Sequence, residues 1–187
     1  MENALVKNTL LTLLLAFATF SLTAQDYQGK AMMVSNEAAD ETIVDIAVSS
    51  DAHTTLVAAL KAGDLVGTLS GEGPFTVFAP TNAAFEKLPN GTVSTLLEPA
   101  NKDMLVRVLT YHVIAGEFDA AAVVSAIQAN NGSITLETVS GDELSASLKD
   151  GSVYLEDENG NWAKVTATDL KGSNGVIHVI DTVVLPE

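Results

Sequence analysis

Three histidines, His53, His112 and His178, are the side chains of this sequence that could ligate a metal or carry a proton near neutral pH. A local metal site needs ligands at short, regular spacings, such as two histidines four residues apart on one helix. No two of these histidines have that spacing. We therefore predict no metal centre. We interpret His112 and His178 as hydrogen-bonded core or near-surface residues, and His53 as exposed early in a helix.

Residues 157–161, Asp-Glu-Asn-Gly-Asn, are similar to the start of a calcium-binding loop. The segment lacks the third acidic position and the distal glutamate of such a loop. Its central Asn159-Gly160 pair lies between two strand-like runs and favours a tight turn. We predict a hairpin turn here.

Sequence patterns that support catalysis are missing from the chain. There is no Gly-x-Ser-x-Gly nucleophile turn, and no phosphate-cradling glycine loop precedes a helix. The absence of cysteine excludes a thiolate nucleophile, a thiolate zinc site and a disulfide scaffold. We predict that the protein is not an enzyme and uses no cofactor.

The charge of the chain restricts its partners. Lys and Arg together number 9 against 24 Asp and Glu, so the net charge is −15, and Arg107 is the only arginine. Nucleic acid binding needs cations that displace the counterions of phosphate groups. We therefore predict no nucleic-acid partner. A partner steered by long-range electrostatics is expected to be cationic or bridged by cations.

The first residues have the pattern of an export signal. An uncharged apolar run of 14 residues, 9–22, follows Lys7 and precedes the small residues Thr23 and Ala24. The run is shorter than the ~20 residues of a membrane-spanning helix, although an uncleaved anchor is the alternative. We predict a signal peptide over residues 1–24, a flexible tether over 25–39, and one domain over 40–187 with no membrane span. The expected location is secreted or at the cell surface, with a bacterial periplasm as a further option.

Apolar spacing predicts helices in the first part of this domain. Asp51 is the expected N-cap of the second helix, and Thr81 that of a short helix after the strand at residues 75–79. Further helices are expected from Thr42, at 65–69, at about 101–109 and at 118–127.

After these helices the chain changes to short strands. Strand-like runs are expected at residues 134–137, 144–148, 153–155, 163–167 and 176–185, separated by turn sequences. Helices followed by strands, without an internal repeat, predict a single α+β domain.

Two segments and one dipeptide carry a family resemblance. Residues 73–85 read Gly-Pro-Phe-Thr-Val-Phe-Ala-Pro-Thr-Asn-Ala-Ala-Phe, residues 173–181 read Ser-Asn-Gly-Val-Ile-His-Val-Ile-Asp, and Tyr111-His112 lies between them. In this order they resemble the conserved blocks and the tyrosine-histidine motif of the fasciclin (FAS1) domain family. The resemblance covers about residues 42–186.

The resemblance implies a wedge of two β-sheets flanked by helices. It also implies a secreted or surface protein without catalytic activity that serves in adhesion, matrix or biofilm assembly through protein or glycan contacts. Tyr111 and His112 match the motif that animal members use for integrin contact, and Asp169 agrees with their adhesion peptide. Most of that peptide differs here, which argues against an integrin role. We interpret Tyr111-His112 as mainly structural, because its apolar neighbours are typical of a core at a helix-to-strand junction.

The remaining motif residues have expected structural roles. Asn174 and Gly175 are expected to form the tight turn that starts the last strand. His178 and Asp181 are each a single polar residue in an otherwise apolar row of that strand, so both need hydrogen-bond partners.

The sequence leaves other functions open. An exported enzyme or small-ligand carrier could use this scaffold if a concave apolar pocket held Tyr111, His112 or His178. A structural, possibly oligomeric surface protein is a third hypothesis. The identity of the protein or glycan partner and the oligomeric state are not specified by the sequence.

Overall fold

The computed structural model describes residues 41–187. The predicted signal peptide, 1–24, and the predicted tether, 25–39, lie outside the described residues. Seven α-helices occur within the described range: α1 Ile43–Ser49, α2 Thr54–Ala62, α3 Val66–Leu69, α4 Asn82–Glu86, α5 Thr92–Leu96, α6 Lys102–Tyr111 and α7 Ala120–Ala129. Short 3-10 turns at Asp51–His53 and Pro99–Asn101 precede α2 and α6.

Seven strands form the sheet of the described residues. They are β1 Phe75–Pro80, β2 Val113–Ala115, β3 Ser133–Glu137, β4 Glu143–Lys149, β5 Ser152–Glu156, β6 Trp162–Gly172 and β7 Gly175–Ile180. Their order across the sheet is β2-β1-β7-β6-β5-β4-β3, and only the β1–β7 pair is parallel. The start of β6 pairs with β5 and its remainder pairs with β7, so this strand joins the two predicted sheets. The predicted α+β class is confirmed.

The neighbouring strands β1 and β7 separate two hydrophobic cores. Val77, Ala79 and Ile177 pack against the helices that precede and follow β1. Phe78 and Ile180 point to the opposite side, where they pack with α7 and the inner face of β3–β6. Burying a side chain of this size contributes about 1.5–3 kcal/mol. Each of these strands is covered on its two faces, which explains why apolar residues occur on the two faces.

Several predicted boundaries are corrected by the structure. Asp51 does not cap a helix: it lies inside the 3-10 turn, Ser50 precedes that turn, and α2 begins only at Thr54. The last strand ends at Ile180 rather than at residue 185, because the Asp181 carboxylate accepts the Lys164 N–H at 2.9 Å where the ladder would continue. Thr81 does cap α4, accepting the Ala84 N–H at 3.3 Å.

Within residues 41–187, no single helix is both long and apolar enough to cross a membrane. The helical segments Ile43–Ser49 and Asp51–Ala62 reach that length and composition only as a pair, and the pair is bent by 98°.

Candidate functional site

The two sequence blocks form neighbouring strands. β1 and β7 run parallel in a register that places Phe75 opposite Gly175 and Phe78 opposite His178. The first block continues through Thr81 into α4, which Thr81 caps. The second block begins in the tight turn between β6 and β7. The two blocks therefore meet in one place, in the second and third strands of the sheet.

Asn174 ties the start of β7 to two helices. Its side-chain amide donates to the carbonyls of Leu69 and Gly71 at 2.8 and 2.9 Å, and its side-chain oxygen accepts the Ile43 N–H at 3.0 Å. All three bonds join segments about a hundred residues apart in the sequence. Asn174 therefore fixes where α1 begins and where the chain leaves α3.

Gly175 lies against the backbone of the neighbouring strand. A Cβ at this position would overlap the Phe75 carbonyl oxygen and lie 2.9 Å from the Phe75 nitrogen. Gly73 is equally close to the Asn174 carbonyl. Two backbones in such contact leave no room for a side chain, so glycine is required at both positions.

His178 is buried and hydrogen-bonded through both ring nitrogens. Nε2 lies 2.8 Å from the Phe118 carbonyl, and Nδ1 lies 3.4 Å from the Asp169 N–H. Because a carbonyl only accepts and an N–H only donates, the neutral ring must carry its proton on Nε2. His178 thereby connects β7 with the bulged part of β6 and with the approach to α7.

Asp169 reinforces the same connection. Its φ of 60° places it in the left-handed region, where the register of β6 and β7 shifts. Its carboxylate accepts the Ala120 N–H at the start of α7 at 2.8 Å. The structure thus brings Asp169 and His178 together. Asp169 stays exposed to solvent, so its proposed contact role remains a prediction.

Tyr111 and His112 lie elsewhere, at the end of α6. The Tyr111 ring is fully buried, its hydroxyl donates to the Glu143 carbonyl at 2.8 Å, and burial raises its pKa to about 12. His112 is also buried, and its Nδ1 donates to the Val108 carbonyl at 2.7 Å. Both side chains are buried inside the domain, where they do not contact another molecule, and this favours the structural interpretation of the dipeptide. Its use in contacts stays a prediction.

His112 lines two small apolar cavities of about 20 Å³ each. Its Nε2 has no hydrogen-bond partner among the described residues. A cavity of this size holds about one water molecule, whereas pockets for small organic ligands measure ~300–1,000 Å³. The larger hollows, of about 630 and 350 Å³, are open depressions in the surface. The cavities at His112 are therefore too small for the ligand that the carrier hypothesis requires.

The burial of His112 predicts a pH dependence of stability. Desolvation lowers its pKa from 6.5 to about 4, so the unfolded chain takes up the proton first. The contribution of His112 to the free energy of unfolding is fully present above pH 6.5. It is lost as the pH falls towards 4, by up to about 3 kcal/mol. We expect urea unfolding at pH 7, 5.5 and 4.5 to show this loss. The His112→Leu variant should lose clearly less across the same window, and an equal loss would contradict the assignment.

The predicted exposure of His53 is wrong. The residue is 5% exposed, and its Nδ1 lies 2.8 Å from the Ser50 hydroxyl. Burial lowers its pKa. The 3-10 turn Asp51–His53 rotates His53 inward, and no local sequence pattern predicts that turn.

Asp157, the first residue of the segment that is similar to a calcium-binding loop, is a buried carboxylate. It is 4% exposed and accepts three backbone N–H groups, from Asn159 at 3.0 Å, Asn161 at 2.8 Å and Leu185 at 3.0 Å. The Asn161 side chain donates to it as well. The predicted hairpin turn between β5 and β6 is confirmed. Both carboxylate oxygens of Asp157 accept hydrogen bonds within this turn, so neither is free to bind calcium.

A second carboxylate is held by the only arginine. Arg107 donates two hydrogen bonds to Asp142, at 2.8 and 3.2 Å, and this holds the pKa of Asp142 below its usual value. Arg107 also reaches the Glu187 carbonyl at 2.5 Å. Lys87 pairs with Asp181 at 3.3 Å. Within residues 41–187, no three His, Asp or Glu side chains are placed to hold a metal ion.

Comparison with known proteins agrees with this geometry. The family model of the fasciclin domain matches residues 51–186. Protein sll1483 of Synechocystis sp. is 47% identical over 174 residues, which cover 92% of this chain and 89% of that protein. The cell surface glycolipoprotein MPB83 of Mycobacterium bovis is 32% identical over 153 residues, covering 79% of this chain and 62% of the relative.

A solved structure shows the same fold. It is a FAS1 domain pair from the insect cell adhesion molecule Fasciclin I, with a TM-score of 0.69 at 20% identity. The match covers 78% of this chain and 51% of that one. The expected fold is confirmed. From the matched residues, the shared fold and the level of identity, the chain belongs to the fasciclin domain family.

Proposed function

We propose that this protein is exported and acts by binding protein or glycan partners at the cell surface, in adhesion or in the assembly of a matrix or biofilm. The proposal includes a signal peptide at residues 1–24 and no catalytic activity. One relative is named a cell surface glycolipoprotein, and the matched solved structure comes from a cell adhesion molecule.

The observation that carries this proposal is how the motif side chains are used. Asn174, His178, Tyr111 and Asp157 each form hydrogen bonds inside the domain. A catalytic group must keep a free acid, base or nucleophile in a cleft, and these groups are not free. A rigid scaffold with an exposed surface fits a binding function better.

The test is made in the source cells. We expect deletion of the gene to lower attachment to surfaces and cell aggregation, and the wild-type gene to restore them. A gene lacking residues 9–22 is the matched control, because it encodes the same domain without the apolar run and should not restore attachment. The protein recovered from outside the cells should begin at Gln25. Unchanged attachment after deletion, under several growth conditions, would contradict the proposal.

A further inference from the structure

Two aromatic rings lie side by side on the outer face of the sheet. Tyr154 of β5 and Trp162 of β6 have ring centroids 6.4 Å apart at an interplanar angle of 67°. Trp162 is 36% exposed, which is unusual for the only tryptophan of a chain. Their neighbours Leu155 and Ala163 are fully buried against α7, and strand residues alternate between faces. The two rings therefore point away from the core.

Two lysines accompany these rings. The Lys149 ammonium lies 3.2 Å from the centroid of the Trp162 ring, and the Lys164 ammonium lies 6.0 Å from that of Tyr154. Neither lysine forms a salt bridge within residues 41–187, whereas Lys87, Lys102 and Arg107 do. Their charge is therefore balanced by ring faces and solvent and remains open to an anion.

The surrounding side chains are short or polar. We call this surface the Trp162 face and define it by Lys149, Ser152, Tyr154, Glu156, Trp162 and Lys164. Strand pairing places Ser152 opposite Lys149, Lys164 opposite Tyr154, and Trp162 opposite Glu156. The strands β4, β5 and β6 each have neighbours on both sides. A peptide cannot add to them as a further strand, so the face offers side chains alone.

The local charge of this face differs from that of the whole chain. The net charge of −15 opposes an anion at long range. At physiological ionic strength, however, charges further away than about 8 Å are largely screened. A ligand anion in contact with Lys149 or Lys164 is therefore governed by these two cations. Glu156 is the acid among the six residues of this face, and Glu143 and Glu137 follow on the same side of β4 and β3.

We propose that the Trp162 face binds an acidic saccharide, a glycan whose rings carry carboxylate groups. This inference rests on the proposed binding function and names the partner class and the site. The apolar C–H face of a sugar ring stacks on Tyr154, or on Trp162 in place of the Lys149 ammonium, which then turns from the ring to the ligand. The ring carboxylate pairs with Lys149 or Lys164. Ser152 and Glu156 hydrogen-bond the hydroxyl groups.

The test uses the full exported chain and a galacturonic acid hexamer at physiological salt. Its methyl ester is the matched neutral ligand, since it has the same rings without the charge. We expect saturable binding of the acid in titration calorimetry, a change in Trp162 fluorescence, and at least about tenfold weaker binding of the ester. Trp162→Ala and Lys149→Gln should each weaken binding of the acid about tenfold.

Control variants separate the site from general effects. Lys171→Gln removes a positive charge from β6 near its far end, and Leu170→Ala removes an exposed apolar side chain there. Both should bind the hexamer like the wild type. Lys149→Gln should leave the weak binding of the ester unchanged, because the neutral ester forms no ion pair with Lys149. Unfolding in urea verifies that each variant is folded.

Several results would overturn the inference. These are no binding of the hexamer, equal binding of acid and ester, equal affinity in Trp162→Ala, and binding of polyglutamate as tight as that of the hexamer. The last result would identify the face as a site for acidic peptides. Failure here is distinguishable from failure of the proposed function: a wild-type protein that promotes attachment but binds no hexamer refutes only this inference.

Discussion

The Gly175→Ala variant is expected to lose about 4 kcal/mol or more of its free energy of unfolding, and with it most of the folded protein. The added methyl group would overlap the carbonyl oxygen of Phe75. The clash is with backbone, which cannot rotate away as a side chain would. Relief requires moving β1 from β7, the pair that separates the two cores.

Gly67→Ala provides the matched control for this prediction. It makes the same chemical change inside the short helix α3, where a Cβ at residue 67 meets nothing within 4 Å. Alanine favours helical backbone, so we expect a change within about 1 kcal/mol, towards greater stability. Both variants are measured by urea unfolding and by yield of soluble protein. Equal stability of the two variants would show that β1 and β7 are not in the contact described.

Asp157→Asn is expected to destabilise the domain by about 3 kcal/mol, although the side chain keeps its size. Asp157 receives N–H donors at both carboxylate oxygens, from the hairpin on one side and from Leu185 on the other. An asparagine has one oxygen and one NH₂ group. In either orientation the NH₂ group faces an N–H donor, and at least one buried donor loses its acceptor.

Asp150→Asn is the control for the second prediction. Asp150 lies at the exposed tip of the β4–β5 hairpin with φ of 50°, a conformation that asparagine also adopts readily. We expect a change within about 0.5 kcal/mol. Urea unfolding at pH 7 compares the two variants. If Asp157→Asn were as stable as Asp150→Asn, Asp157 would not be the buried acceptor described above.

Much of the fold follows from local sequence patterns. The two-faced apolar run of β1, the cap at Thr81 and the Asn159-Gly160 turn were all predictable, because each depends on residues within a few positions of one another. The short strands β3, β4 and β5 were found to within one or two residues at each end. The resemblance then supplied the overall fold, whereas the parallel pairing of β1 with β7 is seen only in the structure.

Features that depend on distant partners were not predictable. The strand β2 has three residues, and the helix α5 has five, so neither is long enough for its apolar pattern to repeat twice. The buried position of Asp157 depends on Leu185, and the acceptor of Arg107 lies 35 residues away. The pairing of Lys149 with Trp162 requires knowing that two hairpins place them together. Such contacts are set by tertiary structure.

The position of β7 has a consequence for how the chain is made. This strand comes last in the described sequence, yet it lies between β1 and β6, and it contributes to both cores. Before residues 175–180 emerge from the ribosome, β1 has no parallel neighbour and the strand that joins β1 to β6 is missing. The nascent domain therefore cannot close early. This late closure would suit the export that we propose, in which the chain crosses a membrane unfolded and folds outside.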